Sequence, residues 1–331
     1  MTELSRRKFL RHTVTGAAAA GSVSLVKGVS AEAESARPKL PMREFGKTGV
    51  RVSILALGGG GRGRNPQILG TRQRPQEREL AVKIIGRAFE EGVSYFDSCT
   101  GYGASEEIMG EVLKPHRKDV FLVTKCGQPS SPEGQLRREL ELSLTRLQTD
   151  QLDVWQIHNV NNMNQVRRIF SKGGAVEAAQ KAKEEGLTRF IGVTSHSSAK
   201  VLTEVIERCT KEGIKMEAVL LGLNIADSMA GGYGSAFATT YADSGVGLAA
   251  MKVFGSDGAP LLRYPGVDAE KALRYVWSKP IASAVIGTHS LVELEENIRI
   301  AREFKPMEGE ELAAFEQHVA KTVKPAWALK S

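Results

Sequence analysis

The chain has 331 residues, 41% hydrophobic and 25% charged, with three cysteines and a net charge of +7. Those proportions exclude disorder and collagen-like structure, and so few cysteines exclude a disulfide scaffold, while no Cys-x-x-Cys pair points to zinc or an iron–sulfur cluster. Most of the charge, +4, sits on residues 1–31, where Arg6, Arg7, Lys8, Arg11 and Lys27 oppose Glu3, so the rest is an ordinary dispersed surface without the basic, aromatic-interleaved run that suits nucleic acid.

Residues 5–11 read Ser-Arg-Arg-Lys-Phe-Leu-Arg. A weakly apolar, Ala- and Gly-rich stretch follows from Thr13 to Val26, then Lys27, then small-x-small pairs at Val29-Ser30-Ala31 and Ala31-Glu32-Ala33. Charged, apolar and small-residue regions in this order resemble a twin-arginine export signal with Arg6 and Arg7 as the pair. The resemblance implies the twin-arginine export machinery as a partner, cleavage after Ala31 or Ala33, and an exported, periplasmic mature protein. The apolar stretch is too short and too polar for a permanent membrane anchor. Residues 32–41 then read as a polar linker.

From residue 42 to 305 the pattern is strand, loop, helix, repeated. Met42 to Val52, centred on Gly46-Lys47-Thr48-Gly49, predicts a hairpin. Short apolar runs predict strands at Ser53–Leu57, Ser94–Cys99, Val120–Cys126, Leu152–His158, Phe190–Thr194, Ala218–Leu223, Gly247–Phe254 and Ala282–Ile286. Helical spacing falls between them, over Glu79–Glu91, Pro132–Leu147, Ala175–Glu185 and Asp268–Ser278. Gly92, Gly186 and Gly213 follow charged helical ends, as helix stops do. Residues 306–331 form a C-terminal extension, with an amphipathic helix over Gly309–Lys321. Eight strands alternating with helices predict a single (β/α)8 TIM barrel with an N-terminal hairpin and a C-terminal extra helix. The glycine run Gly58 to Gly63 lacks dinucleotide-fold spacing, and no helix begins until near Glu77, so it reads as a long first strand-to-helix loop.

The unusual polar residues Asp97, Lys125, His158 and Thr194 fall at strand carboxyl ends, where a barrel gathers its functional groups. Tyr102 follows Asp97 by five residues, in a Gly-Tyr-Gly turn. A lysine and a histidine ending apolar strands are costly unless they meet partners. A free phenol, with a pKa of about 10, is a poor acid at neutral pH. A nearby ammonium favours the phenolate and makes the proton easier to release. A carboxylate keeps that ammonium charged and placed, and an imidazole orients a substrate oxygen. Together these groups protonate an alkoxide as it forms, which is what carbonyl reduction by hydride demands.

The segments Phe45-Gly-Lys-Thr-Gly49, Phe96-Asp-Ser-Cys-Thr-Gly-Tyr-Gly103 with Ser105-Glu-Glu107, Val123-Thr-Lys125, Asp153-Val-Trp-Gln-Ile-His158, Ile191-Gly-Val-Thr194 and Val285-Ile-Gly-Thr288 with Glu296-Asn297 together resemble the aldo-keto reductase family. The resemblance implies a metal-free barrel that interconverts carbonyls and alcohols, acting on a small aldehyde, ketone or sugar. It implies Tyr102 as acid/base, Lys125 and Asp97 as the tuning pair, and His158 as substrate orienter. It also implies a nicotinamide cofactor, NADP by family habit. Thr194 and Ser195 would meet the carboxamide, and Met251 takes the ring-stacking position. Leu220 stands at the usual carboxamide glutamine. Lys252 to Gly255 would follow the pyrophosphate, Gly287, Thr288, His289 and Ser290 the adenosine phosphate, and Glu296 and Asn297 the adenine. His289 stands where the family often has lysine, which leaves NAD open beside NADP.

Two other functions fit parts of the pattern: a nicotinamide-binding sensor on the same fold, and a metal-dependent sugar isomerase. The latter is disfavoured by Lys125 between Asp97 and His158, which repels a cation. Cys99 and Cys126, at neighbouring strand ends, read as packing thiols in preference to a pair formed in an oxidising compartment, and Cys209 reads as a helix residue.

Overall fold

The computed structural model describes residues 39–60, 75–196, 198–228, 233–255 and 259–323. The segment read as an export signal, most of the predicted linker and the greater part of the long first strand-to-helix loop lie outside the described residues.

The predicted hairpin is present as β1 (Met42–Glu44) and β2 (Arg51–Ser53), antiparallel, with Met42 opposite Ser53. Its turn drives Phe45 into the amino-terminal end of the barrel, where the ring packs against Tyr95 at 5.9 Å and Phe121 at 4.9 Å between centroids. Gly247 makes room for it, since a Cβ there would strike the Phe45 ring. The hairpin therefore plugs the barrel floor with aromatic surface.

The eight barrel strands are β3 (Leu55–Gly58), β4 (Tyr95–Asp97), β5 (Phe121–Lys125), β6 (Leu152–Ile157), β7 (Thr188–Ser195), β8 (Ala218–Gly222), β9 (Gly247–Met251) and β10 (Ser283–Gly287). All neighbours pair parallel, in sequence order, and β10 closes on β3 through Ala284–Leu55 and Val285–Ala56. The fold is the expected closed (β/α)8 barrel.

The helices that follow are α1 (Pro75–Glu90), α2 (Ser105–Leu113), α3 (Glu133–Arg146), α4 (Met163–Ile169), α5 (Ala175–Glu184), α6 (Ala199–Lys211), α7 (Tyr233–Thr240), α8 (Ala269–Trp277), α9 (Leu291–Arg302) and α10 (Gly309–Thr322). Several starts are fixed by side-chain caps: Asn162, Ser198, Asp268 and Ser290 each accept a backbone N–H three residues on. The expected C-terminal helix is α10. It lies on α8, with Phe315 against Tyr275 and Arg274 held by both oxygens of Glu311.

Strand alternation divides the apolar residues into two cores. Inward positions such as Ala56, Tyr95, Phe121, Val123, Val154, Leu220 and Ala249 fill the barrel, while outward ones such as Leu57, Phe96, Leu122, Trp155 and Ile191 pack under the helices. Among the described residues no helix is long and apolar enough to cross a membrane.

Candidate active site

The register places the site. Asp97 pairs with Val123, so Lys125 lies two residues further along the next strand, and Lys125 pairs with Gln156, so His158 lies two residues beyond again. A step of two keeps each side chain on the inward face, and strand tilt absorbs the stagger, so all three reach one mouth. Lys125 and Asp97 are both buried, and Lys125 Nζ donates to Asp97 Oδ1 at 2.5 Å and to the Ser98 carbonyl at 2.7 Å. The same ammonium lies 5.2 Å from the centre of the Tyr102 ring. The His158 ring stands 6.0 Å from that of Tyr102 and nearly perpendicular to it, at 81°. The four residues expected to act together do converge.

The electrostatics follow from burial and pairing. Burial by itself pushes the Lys125 pKa down, but the Asp97 carboxylate, the Tyr102 phenol and the Cys99 thiol together push it above the ordinary lysine value. Lys125 is thus a fixed cation at neutral pH. Burial raises the Asp97 carboxyl, and Lys125 opposes that rise through charge and hydrogen bond. Asp97 Oδ2 has no hydrogen-bond partner among the described residues.

Glycines shape the seat of the phenol. A Cβ on Gly60 would sit 2.5 Å from Tyr102 Cε2. Gly59, whose N–H donates to the Asp97 carbonyl at 2.7 Å, lets β3 run close beside Ser105. Cys99 Sγ lies 3.4 Å from His158 Nδ1, and Cys126 Sγ accepts the His158 N–H at 3.4 Å. Burial pushes these thiols up, Cys99 to about 11 and Cys126 to about 12, so both are neutral packing groups. The three cysteines are free.

A cavity of about 470 Å³ opens from this floor. Its lining includes Asp97, Tyr102, Lys125 and His158 from β4, β5 and the loops after β4 and β6, Leu220, Met251 and Lys252 from β8, β9 and the turn after β9, and Gly287, His289, Glu293, Glu296 and Asn297 from β10, α9 and the turn between them. Thr194 and Ser195 are fully buried and stand behind the wall. Thr194 Oγ1 accepts the Asn159 N–H at 2.7 Å, and Ser195 Oγ donates to Asn161 Oδ1 at 3.2 Å, so the two side chains hold Asn159 and Asn161, which do line the cavity. Gly255 closes the turn after Lys252, Thr288 is buried, and Ser290 caps α9; none of these three faces the cavity. Tyr233 donates to the Ser195 carbonyl and stays outside the lining too.

His196, Asn159, Asn161 and Glu293 were not singled out by sequence reasoning. His196 lines the cavity with Nδ1 buried and unpartnered, and its pKa is lowered to about 4 by burial and by Lys252 and Lys125. Lys252 holds a left-handed backbone, φ +61°, where the chain leaves β9. A non-glycine residue in that region is uncommon and marks a place where the surroundings dictate the turn.

A cavity lined by charged groups, neutral polar groups and the start of a helix suits a dinucleotide. A reacting end would lie by Tyr102, phosphates by Lys252, and a second nucleoside by α9. His196 Nδ1, buried and unpaired, is an orphaned group such a ligand can satisfy. Among the described residues no group of three or more His, Cys, Asp or Glu side chains is placed to hold a metal ion.

Barrel and constellation together define an oxidoreductase of the TIM-barrel class. The model of the Aldo/keto reductase family matches residues 65–261, and the chain belongs to that family. It is 33% identical over 181 residues to L-galactose dehydrogenase from Arabidopsis thaliana, an alignment covering 51% of this chain and 53% of that one. It is 28% identical over 208 residues to 6-dehydroglucose reductase from Novosphingobium aromaticivorans, covering 55% and 66%. The matched region thus spans about half to two thirds of the length of these relatives. The holo form of an aldo-keto reductase from Bacillus halodurans shares the fold, with a TM-score of 0.65 and 21% identity over 87% of this chain and 97% of that one.

Proposed function

We propose that the chain is a nicotinamide-dependent carbonyl reductase in which Tyr102 is the general acid in reduction and the general base in alcohol oxidation. The observation that carries this reading is the buried Lys125–Asp97 pair, 2.5 Å apart, set beneath the Tyr102 ring at the cavity floor. Reduced nicotinamide, when bound, supplies a hydride to the carbonyl carbon. The carbonyl π bond breaks, and its oxygen takes the Tyr102 proton, so a C–H and an O–H bond form. Lys125 keeps its own proton throughout and stabilises the phenolate left behind. Cys99 Sγ lies 3.4 Å from His158 Nδ1, so this nitrogen is engaged with the thiol and Nε2 is the ring nitrogen left to meet the substrate oxygen.

The names of two relatives, a galactose dehydrogenase and a dehydroglucose reductase, support a sugar or sugar-derived carbonyl as substrate. The Arg6-Arg7 segment supports export to the periplasm by the twin-arginine route. That route passes folded proteins, so the exported enzyme would carry its cofactor with it and need a second substrate to recharge it.

Tyr102→Phe tests the reading. It removes the hydroxyl and keeps the ring, so nucleotide affinity should hold while turnover with sugars and aldehydes drops by about 10²–10⁴-fold. Turnover like that of the wild type would overturn the assignment.

A further inference from the structure

The α9 side of the cavity is acidic. Glu293 lines it, one turn into α9, and its Oε2 accepts the His289 N–H at 2.8 Å and lies 3.1 Å from His289 Nδ1. Ser290 Oγ in turn accepts the Glu293 N–H at 3.1 Å. This is a variant of the capping box, in which the helix supplies its own anion to its own amino terminus. A helix start with free N–H groups attracts phosphate; here a carboxylate already stands at the first turn. His289 holds the Glu293 carboxyl below the ordinary glutamate range, so it is ionised at neutral pH.

Glu296 lines the same side. Its two oxygens lie on Arg299 at 3.0 and 2.9 Å. Arg299 also serves Glu270 and Glu303, so a single guanidinium answers three carboxylates. Arg299 does not face the cleft, and among the described residues that line it the only Lys or Arg side chains are Lys125 and Lys252. Lys125 is committed to Asp97, and Lys252 follows Met251 at the end of β9.

The family resemblance puts the adenosine end of a dinucleotide along Gly287–Asn297, and there its ribose would meet Glu293, which lines the cavity. NAD presents a ribose diol there, and a carboxylate accepts hydrogen bonds from vicinal hydroxyls, as acidic residues do in other dinucleotide sites. NADP presents a phosphate of charge near −2, which meets the Glu293 and Glu296 carboxylates; among the described lining residues the basic group beside them is the His289 imidazole, already engaged by Glu293. We propose that this chain selects NAD(H) over NADP(H) and that Glu293 is the residue that enforces the choice. The proposal rests on the reductase reading and adds to it a departure from the NADP use that the family resemblance implies.

The test is direct binding of NADH and NADPH to the purified full chain, followed by calorimetry, for the wild type and for Glu293→Gln. Glutamine keeps an acceptor for the His289 N–H and removes the charge, so the cap survives. Wild-type protein should bind NADH at least about tenfold more tightly than NADPH, a step of roughly 1.4 kcal/mol. In E293Q the gap should close, chiefly through tighter NADPH binding. NADPH binding as tightly as NADH to the wild type would overturn the proposal and leave the reductase reading standing. An unchanged ratio in a folded E293Q would overturn the role of Glu293. Should E293Q fail to fold, the wild-type ratio and Glu296→Gln decide, with the same direction expected. Binding of neither nucleotide would overturn the reductase reading and the preference with it.

Discussion

Lys125 is the group whose removal most directly probes the proposed chemistry. Its ammonium lies 5.2 Å from the Tyr102 ring centre, in a buried setting. At an effective dielectric constant of about 20, an ammonium and a phenolate whose charge lies between the ring centre and its oxygen, roughly 5–8 Å away, attract by about 2–3 kcal/mol. That attraction exists only once the phenol has given up its proton, so it acts on the transition state and not on the resting enzyme. Lys125→Met keeps the length of the side chain and deletes the charge. Each 1.36 kcal/mol is a factor of ten, so carbonyl reduction should slow by about two orders of magnitude. The Asp97 carboxyl, already raised by burial, loses the one charge that opposes the rise and takes up a proton, so the variant site is neutral. Because the ammonium favours the phenolate, the alkaline fall-off in reduction rate should also move to higher pH in the variant. The assay is single-turnover reduction of an aromatic aldehyde by enzyme preloaded with reduced cofactor, since product release often limits the steady state. Circular dichroism checks the fold. A folded Lys125→Met enzyme within about threefold of wild-type rate, a difference under 1 kcal/mol, would refute the reasoning.

The same pair governs stability. Asp97→Asn should cost about 3–5 kcal/mol in urea unfolding because it leaves the Lys125 ammonium buried and unpaired, Lys125→Met should cost less because Asp97 can take up a proton, and the double variant should cost less than the sum of the two. Gly60→Ala should depress turnover more than stability, since the new Cβ would lie 2.5 Å from Tyr102 Cε2 and must displace the proton donor; steady-state kinetics beside a melting curve separates the two effects. His196 contributes on the acid side. Its folded pKa of about 4 lies below the ordinary histidine value of 6.5, so the unfolded chain binds the proton first, and stability present above about pH 6.5 is lost as pH falls toward 4. The full loss is on the order of 3 kcal/mol, and His196→Gln should flatten that slope in unfolding measured between pH 7 and 4.

The barrel is legible in the chain because its strands end in residues an apolar run does not otherwise tolerate. Lys125 after Phe-Leu-Val-Thr, and His158 after Leu-Asp-Val-Trp-Gln-Ile, announce a shared mouth before any pairing is known. What hides is whatever depends on a neighbour. The apolar face of α2 includes Gly110, which packs because a Cβ there would strike the Arg146 carbonyl on the next helix, and nothing local reveals that approach. Thr194 and Ser195 look alike as polar strand-end residues aimed at a ligand, yet both turn their hydroxyls to Asn159 and Asn161, whose own side chains meet the cavity. The Ser290-x-x-Glu293 spacing is visible as a helix start, but that its carboxylate faces the cleft requires the β10–α9 turn to be placed.

The arrangement also accounts for where the molecule tolerates expense. Burying Lys125 and Asp97 together gains little stability, because each loses hydration that the pair only partly returns. The fold compensates beneath them, with Phe45, Tyr95 and Phe121 closing the barrel floor as a dry aromatic plug. That plug keeps the medium around the pair weakly screening, which is the condition under which an ammonium 5.2 Å away has leverage over a phenol. Water entering from below would erode the same interaction without touching a catalytic group. Phe45→Ala, three strands and one turn removed from the chemistry, should therefore lower the reduction rate as well as the stability, and the rate loss should be smaller in a Lys125→Met background, where there is no ammonium left to screen.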